Sequence, residues 1–263
     1  MATGRPDVGA WLDALAARHG AAMSRSEFLK AIRALSARYV ERRHLLPDRT
    51  PLDSSGKRAA FAGFYAPLHF LTMRAVVRAL GAAATPLDSL SDLGCGTGVA
   101  SIAWAGECAQ APAIEGIDRH AWALEEARRN CRDWRIPARL QRADLVLELE
   151  RLASRRTETT TSRPRGIVLG WALNELQPDG RGRAERAIHA LATHTAIIIV
   201  EPIGRRLVPW WDDVAARAER AGARADEWRF EEPLPAALAA LDREAGFVRE
   251  GLTARSVAWL PRR

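Results

Sequence analysis

The sequence of 263 residues predicts a doubly wound α/β sheet preceded by a helical cap. Two observations carry that expectation. The first is Asp92-Leu93-Gly94-Cys95-Gly96-Thr97-Gly98, which follows a strand-like run and precedes the apolar segment from Val99. Alternate glycines let the backbone turn sharply and meet a ligand that a Cβ would exclude. A strand feeding a helix through such a loop is the nucleotide corner of a parallel sheet. The second observation is cadence. Apolar runs end at Asp92, Asp118, Asp144 and Gly170, each 26 residues after the last, and a fifth ends at Val200, 30 later. Short β-branched runs separated by helix-length segments mean βαβ units and a parallel sheet.

The elements follow in order. Val8, Trp11, Leu12 and Leu15 fall at helical spacing. Ser24 with Glu27 forms a capping box for a second helix, with Phe28, Ile32, Leu35 and Tyr39 on its apolar side. Leu46 to Pro51 and Asp53 to Gly56 read as loop. Phe61 to Phe70 leads into a helix that stops near Leu80-Gly81. Residues 1–82 are therefore expected to form the cap and 83–263 the sheet domain. Thr157 to Thr161 is a low-complexity loop. After the fifth strand, Pro209-Trp210-Trp211 marks a tryptophan-rich insertion. Leu238, Leu241 and Ala245 form a helix closing at Gly246, and Phe247–Glu250 with Ala254–Leu260 read as a terminal antiparallel hairpin.

Composition bounds the class. A hydrophobic content of 48% supports a full core. No run approaches a membrane span and the first residues lack an apolar signal region, so a cytoplasmic location is expected. Three cysteines without CxxC spacing argue against a disulfide framework or a metal site. Net charge is +7, nearly all of it arginine. Charge bears on association rather than fold. Arg151, Arg155, Arg156, Arg163 and Arg165 form one basic cluster and Arg42-Arg43-His44 another, and neither is interleaved with aromatics as a stacking platform would be.

Three ligands compete for the glycine loop. A P-loop needs a lysine at the helix start, and Gly98-Val99-Ala100 has none. A dinucleotide fingerprint would put its third small residue at Val99, which is β-branched. An acid two residues before the first glycine, with glycines at 94, 96 and 98, resembles the S-adenosylmethionine loop of class I methyltransferases. The resemblance implies a Rossmann-like, seven-stranded, mostly parallel sheet with a reversed terminal strand. It implies that Gly94, Cys95, Gly96 and Gly98 face the methionine part of the cofactor and that Asp92 holds the loop. It places Asp118, with Arg119 beside it, at the ribose, and Asp144 with Leu145 at the adenine.

The fourth strand end, Gly170-Trp171-Ala172-Leu173-Asn174-Glu175-Leu176, is where the resemblance implies the methyl group lies. Trp171 is expected to border the cofactor. Asn174 and Glu175 could orient a nucleophile or bind the cofactor's ammonium, or cap the following helix. A base is needed only where the nucleophile loses a proton on attack, and Tyr65 and His69 from the cap join Glu175 as candidates. Strand, small residues and Asn-Glu-Leu, with Phe64-Tyr65-Ala66-Pro67 upstream, are also loosely similar to a methyltransferase-like family linked to small-ribosomal-subunit assembly. The expected activity is methyl transfer to a small-molecule acceptor, with Tyr65, Trp171 and one of Trp210 and Trp211 walling its pocket. The alternatives are an rRNA- or ribosome-directed enzyme, for which the basic surface speaks, and a catalytically silent cofactor-binding assembly factor.

Overall fold

The computed structural model describes residues 6–20, 23–40, 52–156 and 164–261. The basic triplet at 42–44, the loop expected at 46–51, the threonine run and Arg163 lie outside the described residues, as do the side chains of Tyr39 and Arg156. The chain forms two compact units, Met1–Leu71 with Arg229–Leu252, and Thr72–Trp228 with Thr253–Arg263.

The chain opens with α1 (Val8–Gly20) and α2 (Arg25–Val40). Ser24 and Glu27 make the expected capping box: the Glu27 carboxylate accepts from the Ser24 N–H at 2.7 Å, and Ser24 Oγ accepts from the Glu27 N–H at 3.3 Å. α3 (Ser55–Ala60), a π-helical turn (Phe61–Tyr65) and α4 (Ala66–Leu80) then run on without a break. The continuous helix Ser55–Leu80 has 26 residues and a mean hydropathy of 1.2, long and apolar enough by length and composition to cross a bilayer, and 78% of that window is buried in the protein. It is a core helix, and the sequence conceals its length because Lys57, Arg58, Arg74 and Arg78 interrupt the apolar runs. In the first unit Trp11 packs on Phe70 with ring centroids 5.0 Å apart, and Phe64 stacks on Phe247 at 6.2 Å. Ile32 and Leu35 are fully buried there.

The second unit is built on β1 (Ser89–Leu93), α5 (Val99–Glu107), β2 (Ala113–Asp118), α6 (Ala121–Asp133), β3 (Ala138–Arg142), α7 (Leu145–Arg156) and β4 (Arg165–Gly170). It continues through α8 (Pro178–Leu191), β5 (Ala196–Glu201) and α9 (Trp211–Arg220). β6 (Arg224–Phe230), α10 (Ala236–Glu244) and β7 (Leu252–Trp259) close the chain. The seven strands lie in the order β3-β2-β1-β4-β5-β7-β6. β1 to β5 pair in parallel and β7 runs antiparallel to β5, so the five expected strands and the reversed terminal strand are all present. The sheet reverses its winding between β1 and β4, and ligands of such sheets bind outside the carboxyl ends of the strands at that switch.

Two expectations need correction. The last hairpin does not use Phe247–Glu250. β6 lies beside β7, and residues 247–250 form no strand. Those residues are tied instead to the end of α10: the Phe247 N–H donates to the Asp242 carbonyl at 2.9 Å, and the Arg249 N–H to the Asp242 carboxylate at 3.1 Å. The true partner, Arg-Ala-Asp-Glu-Trp-Arg-Phe, hides its strand character behind charge. Its acid Glu227 accepts from the buried Arg255 at 3.2 Å, and its Trp228 indole donates to Ser256 Oγ at 2.8 Å. β3 also ends two residues early, at Arg142. Asp144 belongs to the next element, where its Oδ1 accepts from the N–H groups of Val146 and Leu147 and caps α7.

Candidate active site

The glycine loop takes the conformation its sequence requires. Gly94, Gly96 and Gly98 have φ of 76°, 52° and 77°, a region that only glycine enters without strain. The N–H groups of Gly94 and Cys95 both donate to the Ile117 carbonyl, at 3.0 and 2.8 Å, which binds the loop to the end of β2. A Cβ on Gly94 would stand 3.0 Å from that of Ala172 and 3.3 Å from Leu145 Cδ2, so the loop, the start of α7 and the residues after β4 meet at one point. A Cβ on Gly96 would enter open space. That space beside an exposed backbone is where a ligand can approach closely.

Asp92 lies beneath the loop, fully buried. Its Oδ2 accepts from Ser101 Oγ at 2.6 Å and from the Ser101 N–H at 3.2 Å, so it ties the end of β1 to the first turn of α5. Its Oδ1 is buried with no partner among the described residues. Burial raises this carboxyl to about 7, against the Ser101 hydrogen bonds that favour its charged form. The folded state therefore holds a proton that the unfolded chain releases above about 4, and stability from this group falls as pH rises from that value through about 7. Asp92→Asn removes the buried ionisation. The melting-temperature difference between Asp92→Asn and wild type is expected to shift in the variant's favour between pH 5 and pH 8. A difference that does not change with pH would overturn this account.

Asp118 braces the loop from the end of β2. Its Oδ2 accepts from the Gly96 N–H at 2.8 Å and its Oδ1 from the His120 N–H at 2.7 Å. A carboxylate has about four acceptor positions, so both oxygens keep capacity for ligand hydroxyls. Arg119, beside it, pairs with Asp144 across the ends of β2 and β3 at 3.2 Å. Leu145 is buried at the start of α7. Cys95 is buried, and burial holds its thiol well above its usual range, so it stays a neutral packing group. Asn130, from the buried face of α6, donates to the Thr97 carbonyl at 3.0 Å and fixes the loop from its far side. Ser101 and Asn130 are supports that the sequence reading missed. A buried polar residue amid the apolar side of a helix was the available signal.

The end of β4 carries backbone strain, as does Arg135 after α6 with φ of 54°. Trp171 has φ of 56°, a left-handed conformation that costs a non-glycine residue about 1–2 kcal/mol. Its N–H donates to the Val200 carbonyl at 2.8 Å, which holds the turn in place. Strain of this kind clusters where a site needs a fixed shape. Three residues on, Asn174 is gripped by Glu201, the fully buried acid that ends β5. The Asn174 backbone N–H donates to Oε1 at 3.1 Å and its amide Nδ2 to Oε2 at 2.5 Å. Glu175 is exposed beside it. The pocket wall expected from Trp211 is not formed: that ring is 3% exposed within the apolar cluster of β4, β5, α7 and α8. Trp210 lies partly buried against it, under the Arg181 guanidinium at 4.4 Å.

Tyr65 and His69 belong to the first unit. The Tyr65 hydroxyl donates to the Ile32 carbonyl at 3.2 Å, and burial raises its phenol. Burial, followed by the nearby Arg249 guanidinium, pushes the His69 imidazole down to about 3. It is neutral at physiological pH and a weak proton acceptor. Its NMR signals are expected to show a neutral ring from pH 8 down to pH 5; titration near pH 6.5 would contradict this environment.

The residues fit S-adenosylmethionine. The open cradle at Gly96, the acids at the ends of β1 and β2, Asp144 at the start of α7 and the strained turn after β4 all lie beyond the carboxyl ends of neighbouring strands. The family model "Methyltransferase small domain" matches residues 74–154, which run from α4 through the loop to α7. Residues 74–154 therefore carry a methyltransferase domain, whose chemistry is methyl transfer, and the residues above are those that would hold S-adenosylmethionine. Solved structures are similar to the chain at low sequence identity. Precorrin-8w decarboxylase of Methanobacterium thermoautotrophicum is 18% identical, covers 72% of this chain and 89% of its own, and gives a TM-score of 0.45. Precorrin-6y C5,15-methyltransferase of Geobacter metallireducens is 14% identical over 71% and 88%, with a TM-score of 0.42. A plantazolicin methyltransferase in complex with S-adenosylhomocysteine is 12% identical over 97% and 99%, with a TM-score of 0.47. No curated protein matches the chain by sequence.

In this domain Gly94, Gly96 and Gly98 would hold the methionine part of the cofactor, Asp118 its ribose, and Asp144 with Leu145 its adenine. When bound, S-adenosylmethionine supplies a methyl group on an electrophilic sulfonium. The protein's own part is to bind, to orient and to exclude water.

Proposed function

We propose that this methyltransferase acts on a small-molecule acceptor positioned at the end of β4 by Asn174 and Glu175. The observation that carries the reading is the pairing of a strained Trp171 with an Asn174 clamped by the buried Glu201. A side chain locked by a buried carboxylate is preorganised, and preorganisation of the attacking group within about 3–3.5 Å of its target is what methyl transfer rewards. An acid that is exposed beside it, Glu175, can accept a hydrogen bond from an incoming O–H or N–H group. The cysteines Cys95, Cys108 and Cys131 are buried free thiols, which fits a reducing, cytoplasmic compartment.

Isotope transfer from methyl-labelled S-adenosylmethionine into a metabolite extract tests the reading. Label is expected in a low-molecular-weight product and is expected to fall at least tenfold in Asn174→Ala. Label recovered only in the RNA fraction would replace this reading with the nucleic-acid one. That second reading has one specific support, the arginine-lined groove at the other end of the sheet.

A further inference from the structure

Among the described residues, the face of the sheet that packs on α7 is covered only in its carboxyl half. Leu145, Val146 and Leu149 of α7 join Leu93, Ile117 and Leu169 in the core there. Toward the amino ends the face is open as a groove of about 950 Å³, walled by the second half of α7 and by the residues before β5. The register sets its floor. Arg139, Glu115, Ser91 and Ile167 form one row across β3, β2, β1 and β4, and Gln141, Ile117 and Leu93 form the next. Three strand spacings of about 4.8 Å put the β3 and β4 sides of the groove about 14 Å apart.

Charge characterises this groove. Several arginines outside it engage carboxylates: Arg25 with Glu244, Arg78 with Glu107, Arg183 with Glu150 and Arg217 with Glu185. In the groove Arg151 is held by Glu148. Arg139 and Arg165, one at each side, form no ion pair among the described residues, and both are exposed. Arg155 lines the α7 wall as well. Four arginines against two carboxylates leave an excess of positive charge over a partly apolar floor.

We propose that this groove binds a phosphorylated small molecule of nucleotide size. Its volume falls within the range of small-molecule sites. Leu152, only partly buried on the α7 wall, offers apolar surface for a ring, and the arginines offer bidentate donors for phosphoryl oxygens. Glu115, in the middle of the row, repels an anion placed over it and accepts from a hydroxyl or amine. The ligand therefore carries its phosphate toward one side and hydrogen-bond donors toward the centre. A continuous phosphate backbone would have to pass over that carboxylate. The groove opens at the amino ends of the strands, whereas the glycine loop lies at their carboxyl ends, so the site is separate from the methyl-transfer site.

Calorimetry with ATP as probe, with and without saturating S-adenosylhomocysteine, tests this. ATP is expected to bind with a micromolar dissociation constant under both conditions. Arg139→Glu with Arg165→Glu is expected to weaken it at least tenfold, while Arg132→Glu on the exposed surface of α6 leaves it unchanged. Retained S-adenosylhomocysteine binding in the double variant shows that the fold is intact. Absence of ATP binding overturns the proposal, as does binding indifferent to the charge reversal or abolished by S-adenosylhomocysteine. Tighter binding of a 12-nucleotide oligouridylate through the same two arginines overturns it in favour of a nucleic-acid surface. Failure of S-adenosylhomocysteine itself to bind would count against the methyltransferase reading, not this one.

Discussion

Asp118→Ala is expected to weaken S-adenosylhomocysteine binding by about 2–4 kcal/mol, roughly 30- to 900-fold. Two losses combine. The carboxylate would no longer accept ligand hydroxyls, which for charged acceptors are the stronger kind of hydrogen bond. The Gly96 and His120 N–H groups would also lose their acceptor, at 2.8 and 2.7 Å, and with it the loop loses its brace at β2. The fold itself should persist, because Asp118 lies on the rim, only partly buried, while the core beneath is apolar. Calorimetric titration measures the affinity and a thermal melt without ligand checks the fold. A dissociation constant within threefold of wild type would show that Asp118 does not face the cofactor. Asp118→Asn separates the two losses: it keeps one acceptor for the loop and replaces the other with a donor, so its affinity should lie between those of wild type and Asp118→Ala.

Glu201→Gln is expected to lower stability by about 1–3 kcal/mol, the usual cost of a buried polar group left without its partner. Glu201 accepts twice from Asn174, from the backbone N–H and from the amide. A glutamine offers one oxygen and one NH2 group, so one of those contacts becomes donor against donor. For a unit of this size the change corresponds to a melting-temperature drop on the order of 2–10 °C. The turn after β4 should loosen with it, since Asn174 is fixed to the sheet there. S-adenosylhomocysteine affinity should change less than in Asp118→Ala, because Asp118 at the end of β2 and Asp144 at the start of α7 are untouched. A variant with wild-type melting behaviour would mean that the Asn174 clamp is not an independent support.

Much of this molecule was legible from residues alone. The spacing of five apolar runs predicts β1 to β5, because parallel strands buried on both faces read as continuous β-branched segments. The alternate glycines of the loop predict its three positive φ angles, since no other residue tolerates them in succession. The Ser24–Glu27 box is as local as a signal can be, and it formed. Where a residue acts with neighbours close in sequence, pattern suffices.

Tertiary structure decided the rest. β6 is a strand only because β7 lies beside it and receives its charged side chains; in isolation Arg224–Phe230 shows no apolar alternation. Asp144 followed an apolar run and read as a strand end, yet the chain turned early because its carboxylate can cap the next helix. Trp211 promised a pocket wall and became core, as a large ring does wherever apolar area is available. The clamp of Asn174 by Glu201 joins residues 27 positions apart, and the groove row joins Arg139 to Ile167 through two intervening strands. Sequence by itself determined the fold class and the conformation of the glycine loop, because backbone conformation and burial period are local properties. Which side chains share a site was decided by strand order and register, because those alone bring distant residues within hydrogen-bonding distance.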